Sequence, residues 1–318
     1  MFVRLKQISI GLVLGSLFAC GGGGDNVPQN TSGTLSLGLI DAPIDDVDEI
    51  WIEIAGVAVK PQGAGPAMDF DFTQPLQVDL LSLTDGNSEM LLDGEVLPAG
   101  AYSWIELKVN AEFDSNLDSY VVTDSGGVEE MSIELQVPGG SQTGVRLVSG
   151  FTITANQETS FLIDWDMRLG LKKPPGQAGY LLRPAFRIID MTEFGTLNGT
   201  VDMALVTDST CSNDLNQDTG NTVYVFADFD ADVDDIDGTD DPVATIAVTQ
   251  NNMGDYTYEA ILSPGQYTIA FTCQASDDDP DTDETNGTPI EFIMPLDPNM
   301  VNSANVTIDD GVTVTVDF

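Results

Sequence analysis

The sequence predicts an all-β protein of two β-sandwich domains behind a cleaved leader and a flexible tether, and three features carry that prediction. Apolar and polar residues alternate with period two in one segment after another, broken by Gly, Pro, Asn or Asp roughly every eight to twelve residues. The cations stop partway along: eight of the ten Lys and Arg lie between Lys60 and Arg187, and no Lys, Arg or His follows Phe194. One turn-and-strand phrase occurs twice, as Leu97-Pro98-Ala99-Gly100-Ala101-Tyr102 and as Leu262-Ser263-Pro264-Gly265-Gln266-Tyr267. In each, Pro presets φ, Gly permits a positive φ where the turn requires one, and a strand starting with Tyr follows.

Taken in order, the chain opens with a leader. Arg4 and Lys6 precede an apolar stretch from Ile8 to Phe18, interrupted only by Ser9, Gly11, Gly15 and Ser16. That is the plan of a secretory signal, and it is too short to cross a bilayer as a helix. Leu17-Phe18-Ala19-Cys20 resembles the lipobox of bacterial lipoproteins, although Phe18 is bulkier than usual there. The resemblance implies cleavage before Cys20, a diacylglyceryl thioether on its sulfur and acylation, by palmitate for example, of the new amino terminus. Several chains together anchor stably where one is marginal. Residues 1–19 are then the signal peptide, and 20–32 the lipidated Cys with its Gly-rich tether. Gly21 rather than Asp after the cysteine resembles outer-membrane sorting in Gram-negative bacteria. Plain secretion with a free Cys20 is the competing reading.

Strands are predicted at Thr34–Leu39, Ile50–Ile54, Val57–Val59, Tyr102–Val109, Tyr120–Val122, Met131–Leu135, Phe151–Thr154 and Phe161–Ile163. The best helical candidate is Pro75 to Leu83, where Leu76, Leu80 and Leu83 share one helical face. The cations stop near residue 193, which divides a domain at 33–193 from an acidic one at 194–318. In the latter, strands are predicted at Gly195–Val201, Val223–Phe226, Ala244–Val248, Tyr256–Ala260, Tyr267–Phe271 and Val312–Phe318.

The first domain resembles the DUF4382 family of bacterial lipoprotein domains. Leu39-Ile40-Asp41-Ala42-Pro43, Ile50 to Val59, Leu97 to Val109 and Tyr180 to Ile188 carry the resemblance. It implies architecture and location but no particular chemistry. The Pro-Gly turn at Pro264-Gly265 and Gly199-Thr200-Val201 resemble prealbumin-like sandwiches, among them the carboxypeptidase regulatory-like domains.

Hydrophobic content of 42% against 19% charged marks a folding chain despite a net charge of −42. Such a surface repels nucleic acid, which is bound by cations. It keeps the chain soluble by self-repulsion and attracts divalent cations. Cys211 and Cys273 remain, in an oxidising compartment, with one intramolecular pairing open to them. That bond would stabilise by about 3–4 kcal/mol on the chain-entropy model. Two buried thiols or a metal pair are the alternatives, and without His a zinc site lacks ligands.

Catalytic signals are few. The chain has no His, so Ser or Cys has no imidazole base. It holds neither a Gly-x-Ser-x-Gly elbow nor a phosphate loop. Paired carboxylates could hydrolyse glycosides, yet 52 acidic residues make any such pair unspecific. Calcium, which takes oxygen ligands at short spacing, is the best cofactor candidate. One run offers Asp214, Asn216 and Asp218; a second offers Asp228, Asp230 and Asp232; Asp277–Glu284 is the densest. None follows the EF-hand pattern. Arg168, Lys172, Lys173, Arg183 and Arg187 gather charge, either as a contact patch for the acidic domain or an anionic glycan, or in local pairs with Asp164 and Asp166; the local pairing is expected. Trp51, Trp104 and Trp165 could stack on sugar rings, but all three sit within apolar-rich strands and are expected in the core. The functional expectation is a non-catalytic, membrane-anchored module that presents loops to a glycan or protein. A carboxylate-based polysaccharide hydrolase and an envelope spacer are the alternatives.

Overall fold

The computed structural model describes residues 31–42, 44, 47–83, 87–123, 131–139, 144–208, 211, 220–236, 240–278, 292–293 and 303–318. The strands before residue 193 are β1 (Ser32–Ala42), β2 (Glu49–Pro61), β3 (Met68–Asp79), β4 (Glu89–Pro98), β5 (Gly100–Asn110), β6 (Tyr120–Thr123), β7 (Met131–Gln136), β8 (Val145–Leu147), β9 (Phe151–Ile153) and β10 (Glu158–Asp166). A single helical turn α1 (Met167–Gly170) follows, then β11 (Leu171–Lys172), β12 (Tyr180–Leu182) and β13 (Phe186–Asp190). Beyond residue 193 come β14 (Gly195–Val201), the turn α2 (Met203–Val206), β15 (Thr222–Ala227), β16 (Ala244–Ala247), β17 (Thr249–Gln250), β18 (Tyr256–Leu262), β19 (Gly265–Thr272), β20 (Phe292–Ile293), β21 (Ala304–Ile308) and β22 (Thr313–Thr315).

The first sandwich packs a four-stranded sheet, β13-β10-β1-β4, on a nine-stranded one in which β2 pairs with β3 along one edge and with β5 and β6 along the other. Their inner faces share one core. Leu35, Leu37 and Leu39 of β1 and Ile50, Ile52 and Ile54 of β2 are fully buried in it, as alternation with one face inward requires. The second sandwich packs β17-β18-β14-β22 against β16-β15-β19-β20, with β21 also on β19. Its core holds Leu197, Val223, Val225, Ile269 and Phe271. No described sheet mixes strands from the two sides of residue 193. Nevertheless residues Thr31–Phe318 form one compact unit.

The two sandwiches repeat a motif. β1 pairs antiparallel with β4 and parallel with β10; β14 pairs antiparallel with β18 and parallel with β22. β4 and β18 each end in a Pro-Gly corner that carries the chain into the opposite sheet. The Tyr102 hydroxyl donates to the Pro98 carbonyl at 2.9 Å, and the Tyr267 hydroxyl to the Ser263 carbonyl at 2.9 Å. Each tyrosine clamps the corner four residues upstream. The twice-used sequence phrase is therefore a twice-used structural joint. At Gly199 of β14 a Cβ would lie 1.7 Å from the Val316 carbonyl oxygen, so only glycine fits there.

The predicted helix from Pro75 to Leu83 is corrected. Most of it is the end of β3, which pairs with β2 from Met68 opposite Val59 to Asp79 opposite Trp51. β3 has β2 as its one partner among the described strands, so the missing N–H of Pro75 breaks no second ladder. Only Leu80–Leu83 coils, as a 3₁₀ turn that buries Leu80 and Leu83.

Candidate binding face

The outer face of the nine-stranded sheet carries a polar and aromatic row. Residues directly opposite one another in adjacent strands point to the same face. Asp79 of β3, Trp51 of β2, Tyr120 of β6 and Glu134 of β7 are opposed in this way. Three strand spacings give the row a length of about 14 Å. Trp51 and Tyr120 are half-buried, their ring centroids 6.3 Å apart and their planes 23° from parallel. The Trp51 indole N–H donates to Glu49 at 2.6 Å, which fixes the ring's tilt. In the next row Glu53 accepts from the side-chain amides of Gln77 and Asn110.

This region is electronegative. Burial raises the Asp79 carboxyl, and Glu49 adds to the effect against the Ile50 N–H. Burial and then Glu53 and Asp114 raise Asp118. The Tyr120 hydroxyl is raised by burial, Glu49 and Asp79. Lys108, on the same face, is held by Asp69 and Asp71.

Only one of the three tryptophans meets the expectation of core packing. Trp165 is fully buried. Trp104 and Trp51 are half-buried on the outer face. Trp104 lies under the Arg146 guanidinium at 4.5 Å, and Arg146 in turn pairs with Glu106. The signal for Trp51 was present in Ile50-Trp51-Ile52-Glu53-Ile54: period two sets Trp51 and Glu53 opposite the isoleucines.

The basic patch divides. Arg187 pairs locally with Asp164, as expected, and also donates to the Ile261 carbonyl of the second sandwich at 3.0 Å. Arg168 is buried and donates to the Ala275 carbonyl at 2.6 Å. Asp166 does not wait for a local cation. It accepts from the Leu169 N–H, capping α1, and from the N–H and hydroxyl of Thr245 in the second sandwich, both at 2.9 Å. The contact-patch alternative therefore describes Arg168 and Asp166 better than local pairing does. Burial is the reason: a buried charged side chain needs hydrogen-bond partners, and the second sandwich offers them.

Cys211 and Cys273 form a disulfide with their Cα atoms 5.1 Å apart. Cys20, Asp214, Asn216 and Asp218 lie outside the described residues. Asp228, Asp230 and Asp232 are exposed. Asp228 and Asp230 have φ of +70° and +54°. Their loop is pinned by Asn305, which accepts from the Asp230 N–H and donates to its carboxylate, and by the Thr268 hydroxyl, which donates to the Asp228 carbonyl. Among the described residues no three His, Cys, Asp or Glu side chains converge closely enough to hold a metal ion. Among the same residues no helix is long and apolar enough to cross a membrane.

Residues 32–184 match the family described as "Domain of unknown function (DUF4382)". No curated protein matches the chain. Solved structures with some likeness include the TIE protein of Bacillus anthracis, with 11% identity over 91% of this chain and a TM-score of 0.19. A leucine-rich repeat protein of Bacteroides thetaiotaomicron has 13% identity over 91% of the chain and a TM-score of 0.20. The chain spans 34% and 26% of those two proteins. A minor pilin of Streptococcus agalactiae has 10% identity, with 89% of this chain and 92% of the pilin covered, and a TM-score of 0.19. TM-scores this low mean that the chains do not superpose as whole folds. Residues 32–184 are thus similar to the DUF4382 family, and a second, acidic β-sandwich follows them.

Proposed function

We propose that the protein is a non-catalytic binding module of the cell envelope, tethered by lipid on Cys20, that seats a neutral polysaccharide on the outer face of its first sandwich. The observation that carries the reading is the Trp51–Tyr120 pair, two half-buried rings side by side on a sheet face. Aromatic rings offer rigid apolar area at low entropic cost, and their polar tips stay wet. A sugar ring has apolar C–H faces for the rings and hydroxyl groups around its edge. Glu49, Glu53, Gln77 and Asn110 supply hydrogen-bond partners beside the rings. The surrounding carboxylates discriminate against anionic polymers by repulsion. A row of about 14 Å suits an extended chain rather than a single small molecule.

The test is affinity electrophoresis and calorimetry of the full mature chain with neutral polysaccharides. Trp51→Ala and Tyr120→Ala should each abolish retention, while Trp104→Ala, whose ring is already covered by Arg146, should leave it. Retention that survives Trp51→Ala in a folded protein, or no retention of the wild type by any neutral polysaccharide, sinks the reading. The anchor is tested separately. Cys20→Ser should release the protein from membranes and end labelling by a fatty-acid probe. A variant still sedimenting with membranes would refute the tether.

A further inference from the structure

Between the two sandwiches runs a buried polar seam. From the first side come Asp164 of β10, Asp166 at its end, Arg168 of α1 and Arg187 of β13. From the second come Tyr224 of β15, Thr245 of β16, Ala275 and Asp278, with Ile236 and Asp241 beside Asp278. Asp166 receives two hydrogen bonds from Thr245, and Arg168 donates to the Ala275 carbonyl. Beside them Asp278 accepts from the Tyr224 hydroxyl and the Ile236 N–H. Leu169 of α1 packs on the apolar cluster of Tyr224, Phe226, Ile236, Ala270 and Ala275. Asp164 and Asp166 are 3% and 4% exposed, so water does little to solvate their charge.

The connection from Asp190 to Gly195 is short, and no sheet crosses it. What joins the sandwiches sideways is this seam. Its carboxylates outnumber its cations. Asp164 is matched by Arg187. Arg168 acts on Asp278, where Asp241 opposes it, and Asp235 is buried nearby in sequence.

We propose that the seam is a proton-gated latch: protonated, it holds the two sandwiches as one body, and ionised, it lets them part. Burial, then the charge of Asp164, pushes the Asp166 carboxyl up to about 6, against the donors Leu169 and Thr245. Burial pushes Asp278 up to about 6, opposed by Tyr224, Ile236 and Arg168 and assisted by Asp241. Both groups titrate higher in the closed seam than in water, where the ordinary value is 3.8. A raised carboxyl favours closure fully below its free value, and that contribution is lost as pH rises through the closed value. The latch therefore tightens toward pH 4 and loosens by pH 7. The Tyr224 hydroxyl, also raised by its burial, stays protonated across this window and remains a donor to Asp278.

The experiment is hydrogen exchange on the full mature chain at pH 4.5 and 7.5. Sodium chloride at about 1 M shortens the Debye length to about 3 Å and suppresses surface repulsion. Protection factors, which remove the intrinsic pH dependence, are read at the Thr245 and Ile236 N–H groups. Both should fall by about tenfold or more from the lower to the higher pH, while Ile54 and Val225 in the two cores hold. Asp166→Asn and Asp278→Asn imitate the protonated acids. Together they should flatten the pH dependence, and Asp278→Asn alone should reduce it if Asp166→Asn does not fold. Wild-type protection that is equal at the two pH values overturns the proposal. So does a pH dependence that survives unchanged in the folded Asn variants, because surface charge would then be its source.

Discussion

The two sandwiches start from the same joint and handle charge in opposite ways. In the first, several carboxylates, exposed and buried, meet cations: Lys108 with Asp69 and Asp71, Arg146 with Glu106, Arg187 with Asp164. The second has 25 Asp and Glu from Phe194 onward and no cation. There the described carboxylates are met by neutral donors instead. Asp202 caps α2 through the Ala204 N–H, Asp317 accepts from the N–H and hydroxyl of Thr200, and Asp310 accepts from the Phe194 N–H. The lesson is that hydrogen bonds to an ionised acceptor replace ion pairs when no cation is encoded, and they are among the stronger protein hydrogen bonds. Repulsion between the remaining charges then falls on water, salt and covalent reinforcement, and the disulfide lies in this half.

The comparison can be broken most severely at Gly199. Gly199→Ala drives a Cβ to 1.7 Å from the Val316 carbonyl, and should cost on the order of 4 kcal/mol or more by forcing β22 away. Gly33→Ala in β1 meets the Thr154 carbonyl at 2.3 Å and should cost somewhat less. Denaturant midpoints rank the two. A benign Gly199→Ala would mean that β22 is dispensable and the parallel pairing is not a shared design.

Covalent reinforcement comes next. The bond closes a sequence separation of 62 residues, and Cys211→Ser should destabilise by about 4 kcal/mol on the chain-entropy model. Lost protection from hydrogen exchange should concentrate beyond residue 193. Equal loss in both halves would show that the two sandwiches unfold as one unit even at neutral pH.

Calcium tests whether the cation-poor half recruits counterions. At a hundred times its dissociation constant, a specific site adds about 2.7 kcal/mol beyond the monovalent-salt plateau. Magnesium, which holds its waters, should do less. Asp214→Ala with Asp218→Ala, or Asp230→Ala with Asp232→Ala, should remove the gain and so locate it. A thermal scan in high salt that is indifferent to calcium leaves these loops as solvated surface.

The smallest effect concerns what the halves share. Tyr102→Phe and Tyr267→Phe each remove one hydroxyl-to-carbonyl bond at a Pro-Gly corner, and each should cost about 1 kcal/mol. Unequal costs, read from chemical denaturation, would show that one corner matters to its sandwich and the other is incidental.

Much of this was legible beforehand, and the exceptions have one cause. Alternation told which residues of β1, β2, β5 and β19 face inward, because period two is a property of the extended backbone itself. The change in charge at residue 193 coincides with the change of sheets, and the two cysteines beyond Cys20 left one intramolecular pairing to find. Pro75 to Leu83 misled because Leu76, Leu80 and Leu83 fit a helical stripe, while pairing with β2, far off in sequence, was the stronger constraint. Trp51 lies in an apolar-rich strand, which favours the core, while period two sets it opposite the isoleucines. The partners of Asp166 and Arg168 could not be read at all. Asp166 meets Thr245 and Arg168 meets Ala275, separations of 79 and 107 residues. Local pattern determined the strands, their inward faces and the repeated corner, since those depend on neighbours along the chain. Only the tertiary structure decided which charges are buried between the sandwiches and which partners they meet there, because burial is set by whatever surface arrives from elsewhere.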